Sequence, residues 1–197
     1  CSTAEEVLDK LRAGLHIYVR EGSGAKNLET LIKTMLDAGV CLDRCAFCTD
    51  DKHVEEIRKE GHISTCIRKA IALGVPVAKA YKMGSYQAAE FYGLKNYGAI
   101  GAGYRADIVF LDDLEQVRPL DVMKDGRILT EEDYAKDYSV PVPDELLHTV
   151  HVGEVTKEKI RLSCDGKTDV IQMNPHQIVT THLVEEVPTE NGYFKSD

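Results

Sequence analysis

Cys45-Ala46-Phe47-Cys48-Thr49-Asp50-Asp51-Lys52-His53 is a short apolar run that ends abruptly in two carboxylates, a lysine and a histidine. A buried strand that delivers carboxylates at its C-terminal end is how α/β enzymes place groups in an active site. Upstream, Leu28, Leu31, Ile32, Met35 and Leu36 form one apolar helical stripe that Gly39 closes. Before it, Leu15-His16-Ile17-Tyr18-Val19 has the β-branched and aromatic content of a strand and empties into the polar turn Arg20-Glu21-Gly22-Ser23-Gly24-Ala25. At the N-terminus, Thr3 and Glu6 are spaced as a capping box for a helix carrying Val7, Leu8 and Leu11, with Gly14 as its stop. Helix, strand, loop, helix, strand is the alternation of a parallel α/β sheet or barrel.

Downstream, Val54 to Glu60 reads as a helix ending at Gly61, and Ile63, Cys66, Ile67, Ala70 and Ile71 as another ending at Gly74. Pro76 suits a helix start, and Ser85 is placed to cap a short helix with Ala88, Ala89 and Phe91. Near Gly98 the character changes. Ala106–Leu111 is a strand, and Asp125-Gly126 and Asp165-Gly166 are hairpin signals, the second between Ile160–Leu162 and Val170-Ile171. Gln177 to Val187 is again strand-like, so residues from about 98 onward predict mostly antiparallel β structure with an acidic excursion at Leu129–Leu147. There is no internal repeat and no low-complexity tract.

Composition bounds the function. The 197 residues are 43% hydrophobic and 29% charged, an ordinary globular balance. A net charge of −9 and a pI near 5.3 argue against a nucleic-acid or anionic-membrane surface. No apolar run approaches the roughly 18 residues of a membrane span, and no secretory segment is present. The chain begins at Cys1 without a Met, which points to processing or to a cut from something longer. Six cysteines in an acidic, signal-less chain read as reduced thiols, and the expected compartment is the cytoplasm.

Several chemistries compete for the central stretch. Cys41-x-x-x-Cys45-x-Phe47-Cys48 matches the iron–sulfur motif of radical S-adenosylmethionine enzymes. A strand, however, points Cys45 and Cys48 to opposite faces, so buried structural thiols are the preferred reading. Cys1 as an N-terminal nucleophile is disfavoured because the capping boxes put it at a helix entrance. Asp50 and Asp51 read either as a solvated helix N-terminus or as a metal ligand or proton-transfer group, with Lys52, His53 and His62 near in sequence. One ligand cannot hold a metal, and no His-x-His stands at the end of an early strand: His16 lies inside one, and His148, His151, His176 and His182 belong to the β region.

A set of segments resolves that shortage. Lys10–Gly14 with Val19–Leu28, Phe47–His53, Glu60–Ile63, Gly98–Leu111 and Met173–Thr181 together resemble the bacterial adenine deaminases of the amidohydrolase superfamily, in the family's order and over most of the chain. The Arg20-Glu21-Gly22-Ser23 and Thr49-Asp50-Asp51 segments carry most of the likeness.

The resemblance implies a partial (β/α)8 TIM barrel, its last strands and helices, over residues 1–97. A mostly antiparallel β-sandwich portion and the start of a C-terminal β region follow over 98–197. Leu15–Val19 looks like the seventh barrel strand and Cys45–Thr49 like the eighth. Of the superfamily's metal ligands only the eighth-strand aspartate falls inside this sequence, and the sixth-strand histidine is expected just before Cys1. On the same footing the full-length protein is expected to be a homo-oligomer with a binuclear iron or manganese centre, converting adenine and water to hypoxanthine and ammonia. Asp50 would bind metal and move the proton, with Asp51 as the alternative. Arg20, Glu21 and Ser23 would bind purine or position a loop. The fragment itself is expected to be inactive, to retain no metal, and to expose the edge of its first strand to self-association. Another amidohydrolase, acting on N-acyl or cyclic amides, and a non-catalytic binding or scaffold domain are the alternatives.

Overall fold

The computed structural model describes residues 1–136 and 139–195. The chain divides into two compact units: Cys1–Tyr134 with Pro175–Ile178, and Ala135–Asn174 with the residues from Val179 onward.

The first unit opens with α1 (Ala4–Arg12). Thr3 Oγ1 accepts from the Glu6 amide at 3.2 Å, but the return bond differs from a simple capping box. The Glu6 carboxylate takes the Ser2 amide at 2.7 Å and Lys10 Nζ at 2.5 Å. The Lys10 bond foremost, then the Ser2 amide, hold the Glu6 carboxyl at a pKa of about 2. Gly14, at φ 77°, closes the helix, the Leu15 amide returning to the Lys10 carbonyl at 3.0 Å. That tie keeps Leu15 out of the sheet, and the strand expected from Leu15 begins two residues later as β1 (Ile17–Arg20).

From β1 the chain runs through α2 (Leu28–Asp37) and a 3-10 turn (Leu42–Arg44) into β2 (Cys45–Cys48). β1 and β2 pair in parallel, Ile17 opposite Cys45 and Arg20 opposite Cys48. The two-residue period then sorts their faces. Ile17, Val19, Cys45 and Phe47 join Leu28, Leu31, Ile32 and Met35 of α2 in one apolar core, while Arg20 and Cys48 share the other face.

α3 (Val54–Glu60), α4 (Ile63–Ala72), α5 (Val77–Gly84) and α6 (Tyr86–Phe91) follow. Cys66, Ile67 and Ala70 of α4 and Ala80 and Met83 of α5 complete the core. Ser85 does not cap α6: its hydroxyl donates back to the Tyr81 carbonyl at 2.7 Å. β3 (Ile108–Leu111), β4 (Pro119–Lys124) and β5 (Arg127–Ile128) form a three-stranded antiparallel sheet. Asp125 and Gly126, at φ 52° and 78°, make the predicted two-residue turn between β4 and β5. α7 (Glu131–Ala135) ends this part of the chain.

The second unit holds the short helices α8 (Asp144–Leu147) and α9 (Lys157–Ile160), then the antiparallel pairs β6 (Lys167–Met173) with β7 (Thr180–Glu186) and β8 (Thr189–Glu190) with β9 (Tyr193–Phe194). The hairpin predicted at Asp165-Gly166 is absent. Ile160 ends a helix, Ser163 makes an isolated bridge to Tyr193, and the Gly166 carbonyl accepts from the Val187 amide at 2.9 Å. The tight turn falls instead at Asn191-Gly192, where both φ angles are positive at 52° and 78°. The architecture is mixed α/β with several small sheets.

Candidate active site

Because β1 and β2 run parallel and adjacent, the loops at their C-terminal ends emerge side by side. The Glu21 amide extends the ladder to the Cys48 carbonyl at 3.0 Å. Just beyond, Asp50 adopts φ 51°, a left-handed conformation uncommon for a residue other than glycine and frequent where backbone strain serves a site. Its Oδ2 accepts from Arg20 Nη1 at 2.7 Å, and the Asp50 side chain is 56% exposed where that of Arg20 is 14% exposed. The Cys48 thiol on the same face is pushed above its usual range by burial first and by the Asp50 charge second.

Asp51, its neighbour, is held quite differently. Its Oδ2 accepts from the Gly24 amide at 2.7 Å, and the carboxylate fills the space that side chains at positions 22 and 24 would need. Partial burial pushes its pKa up, but the Gly24 amide, further loop amides and the Arg20 charge outweigh that, leaving it below the ordinary aspartate value. Ser23 completes the loop: its hydroxyl donates to Glu56 Oε2 at 2.8 Å and accepts from the His53 amide at 2.9 Å. Glu21 is buried and paired with Lys69 Nζ at 2.6 Å. Partial burial lowers the Lys69 pKa, yet the Glu21 bond and charge raise it further, so it lies above the ordinary lysine value.

Thus the sequence-predicted residues Arg20, Asp50, Asp51 and Ser23 come together at one end of the parallel pair, while Glu21 turns into a polar cleft of about 460 Å3 with Lys26, Glu29, Lys33, Lys69 and His176. Sequence reasoning missed Asn27, which accepts from Arg20 Nη2 at 3.0 Å. It named His62 and Lys52 only as neighbours of the aspartates in sequence, without the contact of Thr49 Oγ1 with His62 Nε2 at 2.7 Å or that of the nearly buried Lys52 amine with Glu60 Oε2 at 2.9 Å. In the sequence Asn27 reads as an ordinary helix start, and Lys69 had no signal at all. An apolar cavity of about 490 Å3 between α4, α5 and the β3–β4 sheet is lined by Ile63, Ile67, Tyr81, Ile108 and Leu114 and lies apart from these groups.

The three clustered cysteines have separate surroundings. The Cys41 thiol donates to Asp43 at 2.9 Å on the surface, Cys45 lies in the core 3.6 Å from the Met35 sulfur, and Cys48 faces the Arg20 side. Among the described residues no three His, Cys, Asp or Glu side chains gather to hold a metal ion. Asp50 is exposed at a strand end with one oxygen on Arg20 and no partner for Oδ1 among the described residues, so it has one carboxylate oxygen free. That is one coordination position, not a complete site.

Residues 2–129 match the family model described as the amidohydrolase family. The chain belongs to that family. Among curated relatives, this amidohydrolase is 37% identical over 195 residues to an adenine deaminase of Desulfitobacterium hafniense (strain Y51), covering 98% of this chain and 34% of the relative. It is 40% identical over 191 residues to one of Methylobacterium nodulans (strain LMG 21967 / CNCM I-2342 / ORS 2060), covering 96% and 33%. The amidohydrolase chain thus spans about a third of the length of the curated relatives it matches. In structure it resembles a β-aspartyl dipeptidase of Fervidobacterium islandicum AW-1 with a TM-score of 0.53 and 19% identity, over 70% of this chain and 39% of that one. Among the described residues no helix is long and apolar enough to cross a membrane.

Proposed function

We propose that this amidohydrolase chain supplies the closing portion of the active site of an adenine deaminase. The observation that carries the reading is the placement of Asp50 at the C-terminal end of β2, on Arg20 of the adjacent parallel strand, in a chain whose curated relatives bear that name. In this reading residues 1–97 are the last strands and helices of a (β/α)8 barrel, with β1 and β2 as its seventh and eighth strands. Residues 98–197 belong to the β-sandwich and C-terminal β regions. The parallel β1–β2 pair with its flanking helices and the antiparallel sheets after residue 98 support this division.

Asp50 would contribute one carboxylate to a divalent metal centre, iron or manganese and binuclear by family resemblance. Such a centre, when bound, would supply an acidified water whose deprotonated form is the nucleophile for C6 of adenine. Asp50 would accept the water proton and return it to the departing amino nitrogen, so that adenine and water give hypoxanthine and ammonia. Arg20 holds Asp50 in place through the bond from Nη1 to Oδ2. For Glu21 and Ser23 the Lys69 pair and the Glu56–His53 tie support loop positioning over purine contact. The six free thiols support a reducing compartment, the cytoplasm, and a homo-oligomeric full-length enzyme is part of the same reading.

The deciding experiment compares Asp50→Asn and Asp51→Asn in the full-length protein with adenine as substrate. Asp50→Asn lowers kcat by about 10²–10⁴-fold, the worth of a proton-transfer group, and strips metal. Asp51→Asn costs about tenfold, through a loosened loop. Equal loss in both variants refutes the assignment, and turnover of N-acyl or cyclic amides in place of adenine refutes the substrate. The 197-residue chain alone, with one ligand position, is expected to retain no stoichiometric metal and to release no ammonia from adenine.

A further inference from the structure

Asn27 opens α2 yet does not cap it. An asparagine at a helix start ordinarily turns its side-chain oxygen onto an amide of the first turn, a bond worth about 1 kcal/mol; here that bond is absent. Its buried carboxamide points elsewhere: Oδ1 accepts from Arg20 Nη2 at 3.0 Å and Nδ2 donates to Gln177 Oε1 at 3.4 Å. The backbone repeats both links, the Asn27 amide donating to the Arg20 carbonyl at 3.0 Å and the Lys26 amide to the His176 carbonyl at 3.2 Å. Arg20 in turn reaches Asp50 through Nη1 at 2.7 Å, while its buried Nε has no hydrogen-bond partner among the described residues. Two contacts therefore fix the guanidinium, and one of them is Asn27.

We propose that Asn27 is a positioning residue of the active site: it holds the Arg20 guanidinium against Asp50, and Gln177 braces its amide. This rests on the reading of Asp50 as the proton-transferring carboxylate. The mark of the role is the buried carboxamide engaged on both sides, by Arg20 through Oδ1 and by Gln177 through Nδ2.

Asn27→Ala, Asn27→Asp and Gln177→Ala in the full-length protein test this, by steady-state adenine deamination and by hydrogen–deuterium exchange of the peptide spanning residues 20–27. Asn27→Ala lowers kcat on the order of 10–100-fold, as losses of orienting partners do, with KM for adenine within about twofold because binding is untouched. Asn27→Asp keeps an oxygen for Nη2, and Gln177 can turn its own amide to donate, so kcat recovers to within about fivefold of wild type. Gln177→Ala falls between. Exchange at Lys26 and Asn27 quickens in Asn27→Ala and not in Asn27→Asp. Wild-type kcat in Asn27→Ala overturns the proposal; so does equal impairment of the alanine and aspartate variants with KM and melting temperature both altered. If the wild-type protein releases no ammonia from adenine, the functional reading fails by itself, and exchange decides the positioning. Unchanged exchange in Asn27→Ala overturns it, and faster exchange reversed in Asn27→Asp supports it.

Discussion

Replacing Gly22 by alanine probes how the loop beside Asp50 is built. A Cβ there would overlap the Asp51 carboxylate and come within 2.9 Å of the Thr49 carbonyl oxygen. The carboxylate can swing away, but only by leaving the Gly24 amide that it accepts from at 2.7 Å. Hydrogen bonds to charged groups contribute about 1.5–3 kcal/mol, and an exposed loop sits at the low end, so this loss is ~1.5 kcal/mol. The backbone carbonyl of Thr49 cannot yield as freely, and crowding of that kind costs ~1.5 kcal/mol. Gly22→Ala is thus expected to destabilise the chain by ~3 kcal/mol and Asp51→Ala by ~1.5 kcal/mol. Together they should cost ~3 kcal/mol rather than 4.5, because the Gly24 bond is lost once, a coupling of ~1.5 kcal/mol. Urea unfolding of the four proteins, followed by circular dichroism at unchanged m-value, reads the cycle. Costs that add to within ~0.5 kcal/mol would falsify the account of Gly22 as the space Asp51 occupies.

Other consequences follow from the buried groups. Lys69→Met leaves the nearly buried Glu21 carboxylate without its lysine; an unpaired buried charge costs about 3–5 kcal/mol, and the 45% exposure of the Lys69 side chain reduces this to ~2 kcal/mol. Glu21→Gln in the same chain should restore most of the loss, and a double variant no more stable than Lys69→Met rules the pair out as its cause. Since the folded pKa of Lys69 is raised, the pair's contribution is full below the ordinary lysine value and fades as pH climbs through the folded one. The thiols act in the same direction, because burial pushes Cys45 and Cys66 up from 9.0 to about 12. Unfolded thiols ionise first, so stability falls between about pH 9 and 12, and Cys45→Ala with Cys66→Ala should flatten that slope in unfolding measured across the range. At neutral pH a thiol reagent should modify exposed Cys41 at once and Cys45 and Cys66 only as fast as the chain unfolds; prompt labelling of all three contradicts the core packing.

The parts of the fold legible from sequence are those whose determinants lie within a few residues. Gly14, Gly39 and Gly74 end helices as predicted, each with a positive φ, because a left-handed residue after the last turn is a local requirement. Asp125-Gly126 turns a hairpin for the same reason. Asp165-Gly166 misled because its neighbours, not its own chemistry, decide whether two strands meet there: Lys157–Ile160 prefers a helical turn, leaving no first strand to join. Of the expected site residues, Asp50 stands out in the sequence by its place at a strand end, and Arg20 only through the family resemblance. The Glu21–Lys69 pair, 48 residues apart, was not, since only the packing of α4 beside the Arg20 loop brings the lysine there. Asn27 was hidden for a subtler reason: at a helix start its residue type already has a sufficient local explanation, so nothing in the sequence asks for a second one.

Asp50 and Asp51, adjacent in sequence, stand in two different environments. The left-handed φ of 51° at Asp50 lets two successive carboxylates leave a strand end in different surroundings. Asp51 meets backbone: both its oxygens lie against glycines, and the Gly24 amide stabilises its charge. A carboxylate so engaged is a clip for the loop, because giving up its partner to take a proton would open the turn. Asp50 meets a side chain instead, and a guanidinium can stay in place while the carboxylate's other oxygen takes a ligand or a proton. Neighbouring acids whose environments diverge are how proteins assign separate tasks to identical groups. Exchanging the environments, by Gly24→Pro to remove the amide and Arg20→Met to remove the guanidinium, should therefore impair the enzyme in distinguishable ways. The first loosens the loop and slows turnover through mobility, measurable as faster hydrogen exchange over residues 20–27. The second frees the Asn27 carboxamide but keeps the Asp51–Gly24 tie, so exchange quickens at residues 26 and 27 and not at 22–24 while kcat falls directly. Identical exchange profiles with identical rates in the two variants contradict the division of labour.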